Sequence, residues 1–217
     1  MKLIALPGVY SPQDDTALLA GALHREVLPP GARVLDVGTG SGALAVAAAL
    51  RGAEVTAVDI SRTAVWTARL NARLARRRIR VLRGDLTAPV SGGTFDLVVS
   101  NPPYVPGPFD APPRRGPARS WEAGRDGRLI LDRICREVPR LLRPGGVFLL
   151  VHSALSGETP TLAGLRAAGL RAETLERAAV RFGPVLRSRQ SWLCREGFVH
   201  PRDESEELVV IRAERTR

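Results

Sequence analysis

The chain has 217 residues, 44% of them hydrophobic, with 32 basic against 22 acidic side chains and a net charge of +10. That length suits one well-cored α/β domain, and no apolar run reaches the ~18 residues that would span a bilayer. The opening M-K-L-I-A-L-P-G is too short an apolar stretch for a signal peptide, so a cytoplasmic protein without membrane contact is expected.

In chain order, V-Y-S-P-Q-D-D-T-A-L-L (9–19) opens a helix, with Ser11 as N-cap, Pro12 at the first helical position and carboxylates in the first turn. It should run to about Val27 and end before Pro29-Pro30. Strands are expected at Arg33–Val37, Glu54–Val58, Ile79–Arg83, Phe95–Val99 and Val147–Val151. Helical stretches at Ala43–Leu50 and Arg62–Leu74 separate the first three, and a link with Pro89 and Gly92-Gly93 precedes the fourth. The Pro/Gly/Arg-rich loop from Val105 to Ser120 is long for a compact domain, a length that usually accompanies function or mobility. A helix near Asp126–Leu142 should stop at Arg143-Pro144-Gly145-Gly146. Next come a helix around Thr161–Ala168, a strand within Arg171–Val180, an inserted helix within 183–197 and a last strand at Glu207–Arg212. In the insert Val185, Leu186, Trp192 and Leu193 share one face, with Arg187, Arg189 and Arg195 elsewhere. Strands alternating with helices imply parallel pairing and right-handed crossovers.

Cys135 and Cys194 lack metal-ligand spacing and read as structural thiols, and no metal site is expected. His24 and His152 have no partner pattern that would make them bases. Of the 32 basic residues only Lys2 is lysine, and the 31 arginines run along the whole chain. They read first as composition bias and second as a surface for an anionic partner.

Chemistry concentrates after the strands. V-L-D-V-G-T-G-S-G-A-L (34–44) is a glycine turn between a strand and a helix, which lets a ligand approach the backbone at a helix N-terminus. Asp36, two residues before the first glycine, would repel a pyrophosphate and attract an ammonium or sulfonium, which favours S-adenosylmethionine over a dinucleotide. Asp59 ends the second strand, where an acid can accept both ribose hydroxyls. Asp85 follows the third, placed to accept from an adenine amino group while the Leu86 N–H donates to the ring. After the fourth strand comes N-P-P-Y (101–104), a rim poor in donors because proline has no N–H. Asn101 Oδ1 and the Pro102 carbonyl can each accept one hydrogen of a planar –NH2 and hold its lone pair toward a methyl donor, with Tyr104 packed on the flat group.

With these motifs in their order and spacing, the chain resembles class I S-adenosylmethionine-dependent methyltransferases and, more closely, the HemK-type glutamine methyltransferases. W-E-A-G-R-D-G-R-L-I-L-D-R-I (121–134) is similar to the stretch that follows the active-site loop in that family, and residues 9–19 resemble its short branch. That branch methylates the glutamine of the Gly-Gly-Gln loop of eukaryotic and archaeal release factors. The resemblance implies a Rossmann-like, seven-stranded, mostly parallel sheet with helices on both faces, in one domain over 1–217. Residues 1–30 would cover the cofactor site, 105–120 form the active-site loop and 183–205 an insertion. It implies S-adenosylmethionine contacts from Thr16, Asp36, Gly38, Gly40, Asp59, Ile60, Asp85, Leu86 and Asn101. Asn101, Pro102 and Tyr104 would carry catalysis, and Tyr10, Pro103 and Trp121 would join Asn101 and Tyr104 at the substrate. A small zinc-containing activator subunit is a further implied partner. Ser11 stands where the short branch usually has a glutamate, and the Arg114-Arg115 loop is richer in charge than the family pattern. N-P-P-Y also suits nucleobase-amine methyltransferases acting on DNA or RNA and small-molecule N-methyltransferases, and the fold can serve as a silent scaffold.

Overall fold

The computed structural model describes residues 3–111, 113 and 116–216, with Pro117 described by its backbone only. The Arg114-Arg115 pair singled out above lies outside them. The strands are β1 (Arg33–Val37), β2 (Glu54–Asp59), β3 (Ile79–Arg83), β4 (Phe95–Ser100), β5 (Leu142–Ser153), β6 (Leu170–Arg181) and β7 (Ser205–Arg215). The helices are α1 (Asp14–Arg25), α2 (Ala43–Leu50), α3 (Arg62–Leu74), α4 (Leu129–Glu137), α5 (Glu158–Ala167) and α6 (Pro184–Arg195). One seven-stranded sheet runs β3-β2-β1-β4-β5-β7-β6, parallel through β5 and antiparallel at β7 with both neighbours. Val34, Val55, Ala57, Leu97 and Leu149 face α1, α2 and α3, while Leu35, Val58, Val98 and Phe148 face α4 and α5. The alternation along β1 therefore feeds two cores, one on each face of the sheet. No helix among the described residues is long and apolar enough to cross a membrane.

β2 and β4 each run one residue further than expected and α5 starts at Glu158, three residues early; the larger differences from the sequence reading have local causes. α1 starts at Asp14 with Gln13 as an extended N-cap residue, not at Ser11. The Thr16 N–H, which would donate to the Pro12 carbonyl in a helix begun there, is taken by Asp15 Oδ1, and the first helical bond runs from the Ala17 N–H to the Gln13 carbonyl at 2.9 Å. The helix expected over 126–142 is α4 followed by a 3₁₀ turn at Val138–Leu141, because Pro139 removes an N–H and crowds the preceding turn. Arg143–Gly146 does not precede the fifth strand but lies inside it: Phe95 pairs with Leu142 and Leu97 with Val147, so the glycines are absorbed as a bulge. β6 and β7 are longer than expected because their antiparallel ladder continues from Leu170–Arg215 to Arg181–Ser205.

The connection between β6 and β7 holds α6, whose Leu186 and Leu193 bury against Phe182 while Trp192 stacks on Phe198 at 5.8 Å. Arg189 lies off the apolar face of α6, as its position suggested. It reaches across to the 105–120 loop, donating to the Pro106 carbonyl at 3.0 Å and pairing with Glu122.

Candidate active site

β1 and β4 lie side by side while the chain proceeds outward from each in opposite directions, and a cavity of about 580 Å³ opens at their carboxyl ends. Both the place and the size are those of small-molecule sites in open α/β sheets. Ser100 at the end of β4 donates to the Val37 carbonyl at 2.7 Å, locking the two strand ends together where the glycine turn and N-P-P-Y begin.

Gly38 and Gly40 hold φ of +74° and +54°, a left-handed path that favours glycine, and nothing lies within 4 Å of a Cβ added at Gly38. The turn is held from outside: the Gly38 and Thr39 N–H groups donate to the Val58 carbonyl, and the Gly40 N–H to Asp59 Oδ2 at 2.9 Å. Asp59 Oδ1 accepts from the Ser61 N–H at 2.8 Å, so one carboxylate couples the glycine turn to the start of α3. Burial pushes its pKa up against these hydrogen bonds and the nearby Arg119 charge. Ile60, Asp85 and Leu86 line the same side, Leu86 with φ of +45°, a costly conformation for a branched side chain and one that often marks a site. Asp85 is half-exposed and held by Arg133 on α4, through contacts of 3.2 and 2.9 Å.

Asp36 is the sequence-predicted residue that does not line the cavity. It is fully buried behind the turn, where Oδ2 accepts from Thr39 Oγ1 at 2.6 Å and from the Ala45 N–H at 3.0 Å. Its Oδ1 is buried with no partner among the described residues, and burial pushes its carboxyl up to about 7.

The opposite wall is N-P-P-Y with the segment leading into α1. Thr16 is the hinge between them. Its hydroxyl donates to Asp15 Oδ1 at 3.1 Å, because a carboxylate only accepts, and so must itself accept from Asn101 Nδ2 at 3.1 Å. This fixes the amide: Asn101 presents Nδ2 to Thr16 and leaves Oδ1 with no partner among the described residues. Asp15 Oδ2 accepts from two phenols, Tyr10 at 3.0 Å and Tyr104 at 3.1 Å, and burial with the Asp15 charge raises both phenol pKa values. Tyr104 is thereby pinned at both ends, since Ser156 Oγ donates to its carbonyl and a Cβ at Gly127, φ +72°, would sit 2.2 Å from the same oxygen. Pro102, Pro103 and Trp121 complete this wall.

Sequence reasoning missed Asp15, Arg133 and Glu206. Glu206, on β7, lines the cavity with a buried Oε2 that has no partner among the described residues, and burial pushes its carboxyl up to about 7. Asp15 could have been weighed from its place beside Thr16; Glu206 carried no local signal. His24 is exposed, while His152 is buried with Nδ1 on the Ser153 carbonyl and is pushed down to about 4. Both cysteines are free, and burial raises Cys135 to about 11.

Residues 1–111 match the family model described as a methyltransferase small domain. A protein named as a putative N5-glutamine methyltransferase from Methanocaldococcus jannaschii is 37% identical over 187 residues, 86% of this chain and 93% of that protein. Release factor glutamine methyltransferases from Deinococcus radiodurans and Bordetella pertussis are 44% and 42% identical over 65% and 76% of this chain. The chain spans only 52% and 64% of those two bacterial proteins. Among solved structures, the E. cuniculi Mtq2–Trm112 complex, described as responsible for methylating the translation termination factor eRF1, superposes with a TM-score of 0.68. It shares 24% identity, with 96% of this chain and 99% of that one covered, a likeness of fold. A T. thermophilus 16S rRNA methyltransferase in complex with AdoMet and guanosine gives a TM-score of 0.62 at 22% identity, covering 97% of this chain and 46% of the other.

Proposed function

The chain is an enzyme of the methyltransferase small domain family, and from that premise we propose that it moves the methyl of S-adenosylmethionine onto the side-chain amide nitrogen of a protein glutamine, in a translation release factor. Bound, the donor supplies an electrophilic methyl on a sulfonium. The cavity suits it in chemistry: the glycine turn leaves room for close backbone approach, and Asp59 has lone pairs to spare on both oxygens after accepting the Gly40 and Ser61 N–H groups. Asp59 would take the ribose hydroxyls, and the Asp85–Leu86 corner the adenine edge. Thr16, Gly38, Gly40 and Ile60 would enclose the rest, with Asp36 acting from behind the turn.

The observation that carries the acceptor is the fixed amide of Asn101. With Nδ2 committed to Thr16, Oδ1 and the Pro102 carbonyl are two acceptors on one rim, matching the two hydrogens of a primary amide. An amide nitrogen is a weak nucleophile because its lone pair is delocalised. Holding both hydrogens in plane sets the lone pair toward the donor, and a near-attack geometry of this kind supplies roughly 7–11 kcal/mol of a barrier. The same oxygens favour the positive charge that develops on nitrogen. The proton leaves after transfer, so no strong base is needed, and the raised phenol pKa values keep Tyr10 and Tyr104 protonated. Tyr104 and Trp121 offer flat faces for the amide and its flanking chain. The likeness to a two-protein complex supports adding a partner subunit to this reading, and the HemK-type resemblance implies that it would be a small zinc-containing activator.

Asn101→Ala should abolish turnover while donor affinity, measured by calorimetry, stays within about tenfold, a change of ~1.4 kcal/mol. Incubating the enzyme with labelled donor and lysate, followed by mass spectrometry of the acceptor, should place the label on glutamine. Label on nucleic acid would replace the acceptor, and absence of donor binding would leave a scaffold.

A further inference from the structure

The arginines are not evenly placed. Between Arg62 and Gly84 the chain has eight arginines and no acidic residue. The fold gathers most of them at the amino ends of β1–β4, the edge of the sheet opposite the catalytic cavity. There a shallow cleft of about 640 Å³ is lined by Arg33, Arg69, Arg73, Arg77, Arg78 and Arg80. It lies roughly 17 Å, one five-residue strand, from the glycine turn.

Two of these guanidiniums are already held. Arg33 lies over the Phe95 ring at 5.3 Å, and Arg69 donates to the Val81 carbonyl at 2.9 Å. Arg73, Arg77, Arg78 and Arg80 are exposed and form no ion pair with a described residue. Glu54, itself exposed, is the carboxylate that lines the cleft. β3 is an edge strand, and edge strands carry charge to discourage pairing. One or two charges achieve that; six converging on one cleft exceed it. A second observation lies beside them. Trp66, on the same face of α3 as Arg69 and Arg73, is 67% exposed. An exposed aromatic next to a row of guanidiniums is the arrangement by which sequence-tolerant readers hold single-stranded nucleic acid, stacking a base while arginine forks grip phosphates.

We propose that this cleft and Trp66 form a binding site for single-stranded nucleic acid, with the arginines on the phosphate backbone and a base on the indole. The arginine cleft lies at the opposite edge of the sheet from the catalytic cavity and shares no lining residue with it, so donor binding and turnover of the arginine variants report on methyl transfer independently.

The test is fluorescence anisotropy of labelled single-stranded RNA and DNA oligonucleotides of about ten nucleotides, with the full chain, across a salt series. If about five phosphates are neutralised, log Kobs should fall against log salt with a slope near −3.5. The quadruple variant Arg73→Ala/Arg77→Ala/Arg78→Ala/Arg80→Ala should lose at least tenfold in affinity and flatten the slope. Trp66→Ala should lose at least fivefold with the slope unchanged. A control removes the same charge elsewhere through exposed Arg136, Arg171, Arg187 and Arg195, and should lose less than threefold. Calorimetry with S-adenosylmethionine and thermal melting establish that each variant is folded. The RNA and DNA arms tell which polymer the cleft prefers. Equal weakening by the control, a Trp66→Ala effect within twofold, tighter binding of a duplex, or binding by polyglutamate as tight as by RNA would each overturn the proposal.

Discussion

Asp15 accepts four hydrogen bonds, from the Thr16 N–H and hydroxyl and from the phenols of Tyr10 and Tyr104. Its charge is what obliges Thr16 to receive Asn101 Nδ2, so it positions the amide without touching a substrate. Asp15→Asn admits a donor at that point and frees Asn101 to turn over. We expect kcat to drop by about 10²-fold, the scale of a small misplacement of a reacting group, with donor affinity nearly unchanged. Thr16→Val should behave alike and Thr16→Ser should recover most of the rate; equal losses in Val and Ser variants would refute the relay. The pKa of Glu206 is shifted the opposite way from that of a salt-bridged carboxylate. Burial raises its native pKa from 4.5 to about 7, so the native state keeps a proton that the unfolded chain has lost, and stability falls as pH rises between those values. Glu206→Gln should therefore melt close to the parent near pH 4.5 and several degrees higher at pH 8, about 1–3 kcal/mol. A difference independent of pH would contradict this. The glycine turn, Asp59 and N-P-P-Y were legible because each signal sits within a few residues of a strand end. Asp15 to Tyr104 spans 89 positions and Asp85 to Arg133 spans 48, and no local pattern announces either bond.

Arg189 ties α6 to both ends of the 105–120 loop, through the Pro106 carbonyl at its start and Glu122 just past its end. The Arg189 side chain is 15% exposed and that of Glu122 8%, and a Cβ at Gly107 would lie 2.7 Å from Arg189 Nη1, so the guanidinium passes close over the loop. Arg189→Ala strands a buried carboxylate, which typically costs about 3–5 kcal/mol. The melting temperature should fall by roughly 6–20 °C, and hydrogen exchange should rise in α6 and in residues 105–111. Adding Glu122→Gln should restore at least half; no restoration would mean that Arg189 acts by packing alone. β1, β3, α2 and α3 matched the sequence reading in full because periodicity and bounding turns agree there. α1 was misplaced because the Asp15 side chain takes the Thr16 N–H that a turn begun at Pro12 would need, and the Arg143–Gly146 stop became a bulge because the neighbouring strand continued.

At the scale of the whole molecule, the cavity draws walls from both halves of the sheet and from α1, so a ligand that fills it ties the fold together. At a donor concentration of one hundred times Kd, stabilisation of about 2.7 kcal/mol is expected, or roughly 5–11 °C in melting temperature. A melting curve unmoved by millimolar S-adenosylmethionine would argue against the proposed donor. The walls also come from distant parts of the chain: Tyr10, Asp15 and Thr16 stand near the start, Asn101 and Tyr104 in the middle and Glu206 on β7. During synthesis at ~5–20 residues per second, about 10–40 s separate the emergence of Asp15 from that of Glu206. Until β7 slides between β5 and β6, a nascent chain already carrying N-P-P-Y has one side of its cavity open to water. The order of translation thus makes β7, the latest of the seven strands of this sheet to emerge, the step that closes the site.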